Sequence, residues 1–325
     1  MPRPWDVWKI IREIDLEAVR AEAERAFRVL VLAESRRDAE DLAALLSGSR
    51  KGDPWLVVAE TGPEPVPVPL PDVAVLVSRD PDLSPRLGMS AMAINGRGVP
   101  LVTIVIGSRG GRDGVVRPGE AARAAVPDFA AEHAPAVAQA LLSGAPSGLR
   151  LALGRRLPPL RDPLYDALIE ETARANAIYA LGTGVVEAFP LLSLPLNLAD
   201  IVVLTKNQIV MAYRIALGAG RRGTIRAVLG QALSVIGSAF MLRQLARQLI
   251  GLVPVVGIAP KVAVAYAGTW AVGRAVAAWA GGGAELTKAS VKRYYAEALD
   301  RGRRAADVLA FAAKVGRVKR GRRSR

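Results

Sequence analysis

Two rhythms of hydrophobic and polar positions divide this chain. Short apolar runs recur first: RVLVLA (28–33), WLVVAE (55–60), DVAVLVS (72–78), PLVTIVIG (100–107) and RAAVP (123–127). Runs of this length, bounded by turn-forming residues, predict buried strands. RRDAEDLAALL (36–46) and residues 129–142 carry the helical rhythm instead. Apolar strand runs separated by helices predict an α/β domain with a mainly parallel sheet covered on both faces. Ahead of it, Val7, Ile11, Ile14, Ala18 and Ala21 follow a 3.6-residue period, which predicts an amphipathic helix over 5–27. The five prolines from Pro63 to Pro71 predict a stiff, extended connection between two strands.

The pattern changes near residue 148. LRLALGRRLPPLRDP reads as a basic, proline-containing hinge. Asp162 before Pro163 is a helix N-cap signal and opens an amphipathic helix over 163–181. Strand signals then stop, and helical segments follow at about 196–218, 223–247, 260–280 and 284–314. PLLSLP (190–195) and LIGLVPVVGIAP (249–260) read as apolar connections. The expected organisation is therefore an α/β domain with an N-terminal helix over 1–147, an all-α helical domain over 148–314, and a basic tail over 315–325.

Within the helical half, Asp200, Asn207 and Arg214 lie seven residues apart in the apolar stretch LPLNLADIVVLTKNQIVMAYRIALGAG. Seven helical steps return nearly to the same face, so the three form one polar stripe, interleaved with Leu204 and Met211. The stripe spans about 21 Å of helix, too far for one local contact to pair all three. An unpaired carboxylate in such surroundings is costly. A partner from another helix is expected, with Arg274 the first choice for Asp200 and Lys261 the next.

LADIVVLTKNQIVMAYRIALGAG, LVPVVGIAPK and GTWAVGRAVAAW, in that order, resemble the domain-of-unknown-function family 697, the YcjF-type C-terminal domain. ALGRRLPPLRDPLYDALIEETARANAIYAL is similar to the linker that precedes it. That domain is often fused to a small GTPase domain, and the strand–helix order of the first half resembles a Ras-like one. The resemblance implies a GTPase-like sheet domain followed by a helical domain of undefined biochemical activity.

Nucleotide chemistry requires specific residues. A P-loop needs GxxxxGK[ST] directly after the first strand, where backbone N–H groups cradle phosphates and lysine neutralises them. AESRRDAEDL (33–42) has no glycine and no lysine, and Glu40 or Asp41 stands where the lysine would be. After VAVLVS the sequence RDPDLSP holds Asp80 and Asp82 but no DxxG glycine. After LVTIVIG, SRGGRD offers Ser108 and Arg109 in place of Asn-Lys, with Asp113 too far along for a guanine contact. The P-loop is expected to be lost, with no nucleotide bound. GAGRRGT (218–224) matches GxGxxG but follows a helix rather than a strand, so it reads as a helix terminus and turn. GSRGGRDG (107–114) reads as a loop.

Cysteine is absent and His133 is the only histidine, which excludes disulfides, thiolate metal sites and His-based ones. No catalytic, cofactor or metal residues are expected. The net charge of +14 is uneven: residues 281–325 hold 13 Lys/Arg against 4 Asp/Glu, a sum of +9, whereas residues 1–60 hold 10 against 12, a sum of −2. No signal peptide is expected at the N-terminus. A membrane span needs about 20 apolar residues, and the longest uncharged run here, Ala227 to Leu242, has 16. Two arrangements remain open: a helical hairpin in or across the membrane, flanked by Arg221, Arg222, Arg226, Arg243 and Arg247, or an alanine-rich soluble bundle. The basic tail suits anionic lipid headgroups. No pattern for reading a nucleic-acid sequence accompanies it, so nucleic acid is not the expected partner. The expectation is a non-catalytic, pseudo-GTPase-like scaffold or adaptor on the cytoplasmic membrane face, with a protein partner. A soluble helical interaction module and a diverged NTPase are the alternatives.

Overall fold

In the computed structural model the described residues are 14–48, 53–62, 69–108, 111–186, 198–224, 226–228, 230–231, 258–282, 293–294, 296–298 and 300–305. The chain divides into two compact units. One comprises Glu17–Leu164 with Leu217–Gly220, and the other Met1–Leu16, Tyr165–Ala216 and Arg221–Arg325.

The first unit is an α/β arrangement around a five-stranded parallel sheet. In chain order its elements are α1 (Leu16–Glu24), β1 (Val29–Ala33), α2 (Arg36–Ser47), β2 (Leu56–Glu60), β3 (Val73–Ser78), α3 (Pro85–Asn95), β4 (Leu101–Ile106), β5 (Ala122–Val126), α4 (Ala134–Gly144) and α5 (Arg150–Arg156). The strands lie in the order β2-β1-β3-β4-β5, every neighbouring pair parallel. Residues Val29, Leu30 and Val31 sit beside Val73, Ala74 and Val75 in register. Strands β1, β3 and β4 are buried along their whole length, as continuous Val/Leu/Ile runs require when both faces are covered. Leu30, Leu32, Ala74, Leu76 and Leu101 form one core with Leu87 and Ile94 of α3. Helices α2 and α4 pack on the sheet and touch each other. Edge strand β2 is only half-buried.

Helix α3 was not expected from the sequence pattern. Its start is chemically clear: Ser84 is the N-cap and accepts from the Leu87 amide at 3.3 Å, and Pro85 occupies the first helical position. The stretch expected to be a hinge is instead helical over Arg150–Arg156, with a 3₁₀ turn at Pro158–Leu160, and residues up to Leu164 belong with the sheet.

Helix α4 approaches the sheet closely at its last residue. A Cβ on Gly144 would lie 2.5 Å from Val102 Cγ2 and 3.1 Å from Ala122 Cβ. Gly144→Val should therefore overpack the contact and destabilise the unit by about 2–3 kcal/mol. Urea denaturation would show this, and a variant as stable as wild type would contradict the close approach.

The described residues of the second unit are helical apart from Ile14, Asp15 and residues 221–224. Its principal elements come from α6 (Arg161–Val186), α7 (Leu198–Gly218) and α8 (Ile258–Gly282). A Cβ on Gly273 of α8 would fall 2.5 Å from Ile169 Cγ1 of α6, so the missing side chain is what lets these helices meet. Among the described residues no helix is long and apolar enough to cross a membrane. The spanning hairpin expected from the sequence is not supported there: α7 holds Asp200, Lys206 and Arg214, and α8 holds Lys261 and Arg274, and each central charge is costly in lipid. Val7, Ile11, Pro63–Val68, PLLSLP, 232–257 and the basic tail 315–325 lie outside the described residues, as do most of the helices expected at 223–247 and 284–314.

Candidate functional site

In an open parallel sheet of order 2-1-3-4-5, ligands bind outside the carboxyl ends of the strands where the strand order reverses, here between β1 and β3. Only Glu34 and Ser35 separate β1 from α2. Ser35 is the N-cap by backbone conformation but makes no side-chain capping bond. Asp38, in the first turn of α2, has a side chain only 12% exposed. Arg79 follows β3 directly and donates to both Asp38 oxygens, Nε to Oδ2 at 2.9 Å and Nη2 to Oδ1 at 2.6 Å. This bidentate hydrogen bond, reinforced by the carboxylate charge, raises the Arg79 guanidinium pKa above its ordinary value. Beside it, Ser84 Oγ donates to Glu34 Oε1 at 2.5 Å. Between them Leu83 adopts the left-handed conformation, φ 61°, rare for a bulky residue. Its side chain packs against the core, which holds the strained loop in place.

A second cluster ties the loops on the other side of β3. The Arg123 guanidinium is fully buried and pairs with Glu120, which is 5% exposed, at 2.6 Å. Arg123 also donates to the carbonyls of Asp113, at 2.6 Å, and of Pro81. Glu120 accepts from Thr103 Oγ1 at 2.7 Å and from the Arg117 amide at 2.9 Å. Arg117 reaches Asp82 at 2.6 Å, and Ser108 Oγ donates to Asp113 at 2.7 Å. The polar side chains at this edge are thus bonded to one another. Glu40 and Asp41, one of which was expected where a P-loop lysine would stand, make ion pairs on α2 itself, with Arg36 and Arg37. Among the described residues no group of His, Asp and Glu is arranged to hold a metal ion.

The expected polar seam is partly visible. Asn207 Nδ2 donates to Asn176 Oδ1 at 2.7 Å, and Asn176 Nδ2 donates to Thr269 Oγ1 at 2.8 Å. Gln208 Nε2 adds a bond to Thr269 Oγ1 at 3.2 Å, and that hydroxyl donates to the Ala265 carbonyl at 2.9 Å. Asn176 and Thr269 are completely buried. One residue of the stripe therefore joins a three-helix network that the seven-residue spacing did not reveal. Arg214 is half-buried. Arg274 pairs with Asp166 of α6 at 2.6 Å and lies 5.0 Å over the Trp270 ring. Among the described residues the carboxylate beside Arg274 is Asp166, which α6 brings to α8. The side chains of Asp200 and Lys261 lie outside the described residues.

No protein-family profile matches this chain, and no curated protein or solved structure is significantly similar to it.

Proposed function

We propose that this chain is a non-catalytic scaffold or adaptor: a sheet domain of GTPase-like plan that binds no nucleotide, carrying an all-helical domain of YcjF type. The observation that carries the reading is the Asp38–Arg79 pair. It occupies the start of α2, where a phosphate-binding loop would present free backbone amides and a lysine. Glu34, Asp80 and Asp82, in the loops that follow β1 and β3, add further carboxylates at the edge a triphosphate would have to approach. A diverged NTPase would need those groups to turn outward. Calorimetric titration of the full chain with GTP, and then ATP, in the presence of magnesium should give no saturable heat. A dissociation constant in the micromolar range or tighter would defeat the proposal.

The proposal includes peripheral attachment to the cytoplasmic membrane face. Its support is the sequence: +9 of the net charge lies in residues 281–325, and each Lys/Arg close to anionic lipid contributes about 1 kcal/mol. The full chain should sediment with vesicles containing anionic lipid at low salt and be released at high salt. A chain that stays in the supernatant at low salt would favour the soluble interaction module.

A further inference from the structure

A half-open cleft of about 640 Å³ lies in the second unit, walled by Glu170, Arg174 and Ile178 of α6, Tyr266 of α8, and Arg301 and Arg304 of the helical residues 300–305. Its volume is within the range of about 300–1,000 Å³ common for small-molecule sites.

Three guanidiniums face one carboxylate in this cleft, and that carboxylate is already engaged. Glu170 accepts from Arg174 Nε at 2.6 Å and from the Tyr266 hydroxyl at 2.5 Å. Burial first, and the bond to Glu170 next, hold the Tyr266 phenol above its ordinary pKa, so it adds no negative charge to the wall. Arg301 lies 5.1 Å over the Trp270 ring and 3.5 Å from Glu297, and Arg304 pairs with Asp300. The pairs Arg174–Glu170, Arg301–Glu297 and Arg304–Asp300 are all one-turn helix pairs, and the Arg174 and Arg304 side chains are 70% and 73% exposed. Such solvent-screened pairs are weak and easily exchanged for a better acceptor. A guanidinium carries five N–H donors, so each arginine keeps donors beyond its own ion pair. Ile178, exposed at the cleft, and the Tyr266 ring supply apolar wall.

We propose that this cleft binds a phosphate monoester, its phosphate clamped by Arg174, Arg301 and Arg304 and its carbon skeleton laid against Ile178 and the Tyr266 ring. A carboxylate has two oxygens and fills one guanidinium fork; a phosphate monoester has three terminal oxygens and can engage three. Recognition of phosphate by arginine clusters from neighbouring helices follows the same chemistry. The site is separate from the sheet edge, so its presence does not depend on the scaffold reading.

The test is calorimetric titration of the full chain with three probes: glycerol 3-phosphate, dihexanoyl phosphatidic acid below its micellar concentration, and hexanoate. At least one phosphate ester should bind at one site per chain, and at least fivefold tighter than hexanoate. Arg301→Gln with Arg304→Gln should weaken that binding fivefold or more. Arg304→Gln alone changes only an exposed pair, keeps the fold, and should weaken it in the same direction. Phosphatidic acid binding tenfold or more tighter than glycerol 3-phosphate would assign the site to a lipid headgroup, with Ile178→Asp abolishing the difference. A smaller difference would assign it to a soluble phosphate ester. No saturation by either ester, hexanoate binding within fivefold of both, or arginine variants with unchanged affinity would overturn the proposal.

Discussion

Arg123→Ala will destabilise the sheet unit by about 3–5 kcal/mol, the cost of stranding one partner of a buried ion pair. The guanidinium is 0% exposed, and three acceptors surround it: Glu120 and the carbonyls of Asp113 and Pro81. Truncation leaves Glu120 charged at 5% exposure, with only Thr103 Oγ1 and the Arg117 amide to stabilise it. It also cuts the loops after β3 and before β5 loose from each other, since Arg123 is bonded to both. For a unit of this size the melting temperature should fall on the order of 10 °C. Glu120→Ala should cost a similar amount for the converse reason. Arg123→Met combined with Glu120→Leu should recover part of the loss, because an apolar pair of similar volume leaves no buried charge. Recovery should stay incomplete, since the two carbonyls still lose their donor. Circular dichroism melts of the full chain would measure this, with hydrogen exchange at β4 and β5 assigning the transition. A single variant melting within a degree or two of wild type would show that the network adds nothing to stability.

The strands were legible because each is an apolar run at the right length, and a parallel sheet buried on both faces needs nothing subtler. Helix α3 escaped notice because PRLGMSAMAIN mixes small, polar and apolar residues without a strong stripe, and it leaves Met89 and Met92 exposed. The Ser84-Pro85 pair was the available signal. Helix α5 was hidden by its surroundings, where arginines and prolines suggested a hinge. The edge of the sheet was illegible for a different reason. Asp38 and Arg79 are 41 residues apart, and each stands in a charged stretch that looks solvated. Only the parallel pairing of β1 with β3 puts the residues that follow them side by side. Arg123 carried one hint, a charge inside an apolar strand with Glu120 three residues before it.

The helical seam shows the same division. Asn207 stood out as an amide in an apolar helix, and it does bond across to another helix. Its partners did not stand out, because Asn176 and Thr269 lie in stretches with no seven-residue repeat to mark them. Arg274 stood out only as a partner for Asp200; Asp166, the carboxylate the structure places beside it, sits near the start of α6, where an acid is ordinarily a favourable solvent-facing residue. Spacing along one helix therefore identified which residues needed partners. It did not identify the partners, which depend on how α6 and α8 cross at Gly273.

Asn176→Leu is the sharpest test of that seam. Leucine branches at the same carbon as asparagine and favours the helix, so no cavity forms; its larger methyl groups add some overpacking to the loss of the hydrogen bonds. Without the Asn176 amide, Asn207 Nδ2 loses its acceptor, and Thr269 Oγ1 keeps its own bond to the Ala265 carbonyl and, as acceptor, only the longer bond from Gln208. A buried polar group left unmatched costs about 1–3 kcal/mol. Asn207 is half-buried and recovers part of its bonding from water, so the expected loss is about 2–3 kcal/mol. Asn176→Asp should be worse at neutral pH, because it places a charge at a completely buried position with amide and hydroxyl partners but no cation bonded to it. The triple change Asn176→Leu, Asn207→Leu and Thr269→Val should restore most of the stability, since the one amide it deprives of a partner, Gln208, is only half-buried and reaches water. What it should not restore is a single register between α6, α7 and α8, which the directional bonds select and apolar contacts do not. The triple variant should therefore melt near the wild-type temperature yet show a broader transition and faster hydrogen exchange in these helices. If Asn176→Leu melts like wild type, or if the triple variant exchanges as slowly as the native chain, the amide network neither stabilises the helices nor selects their register.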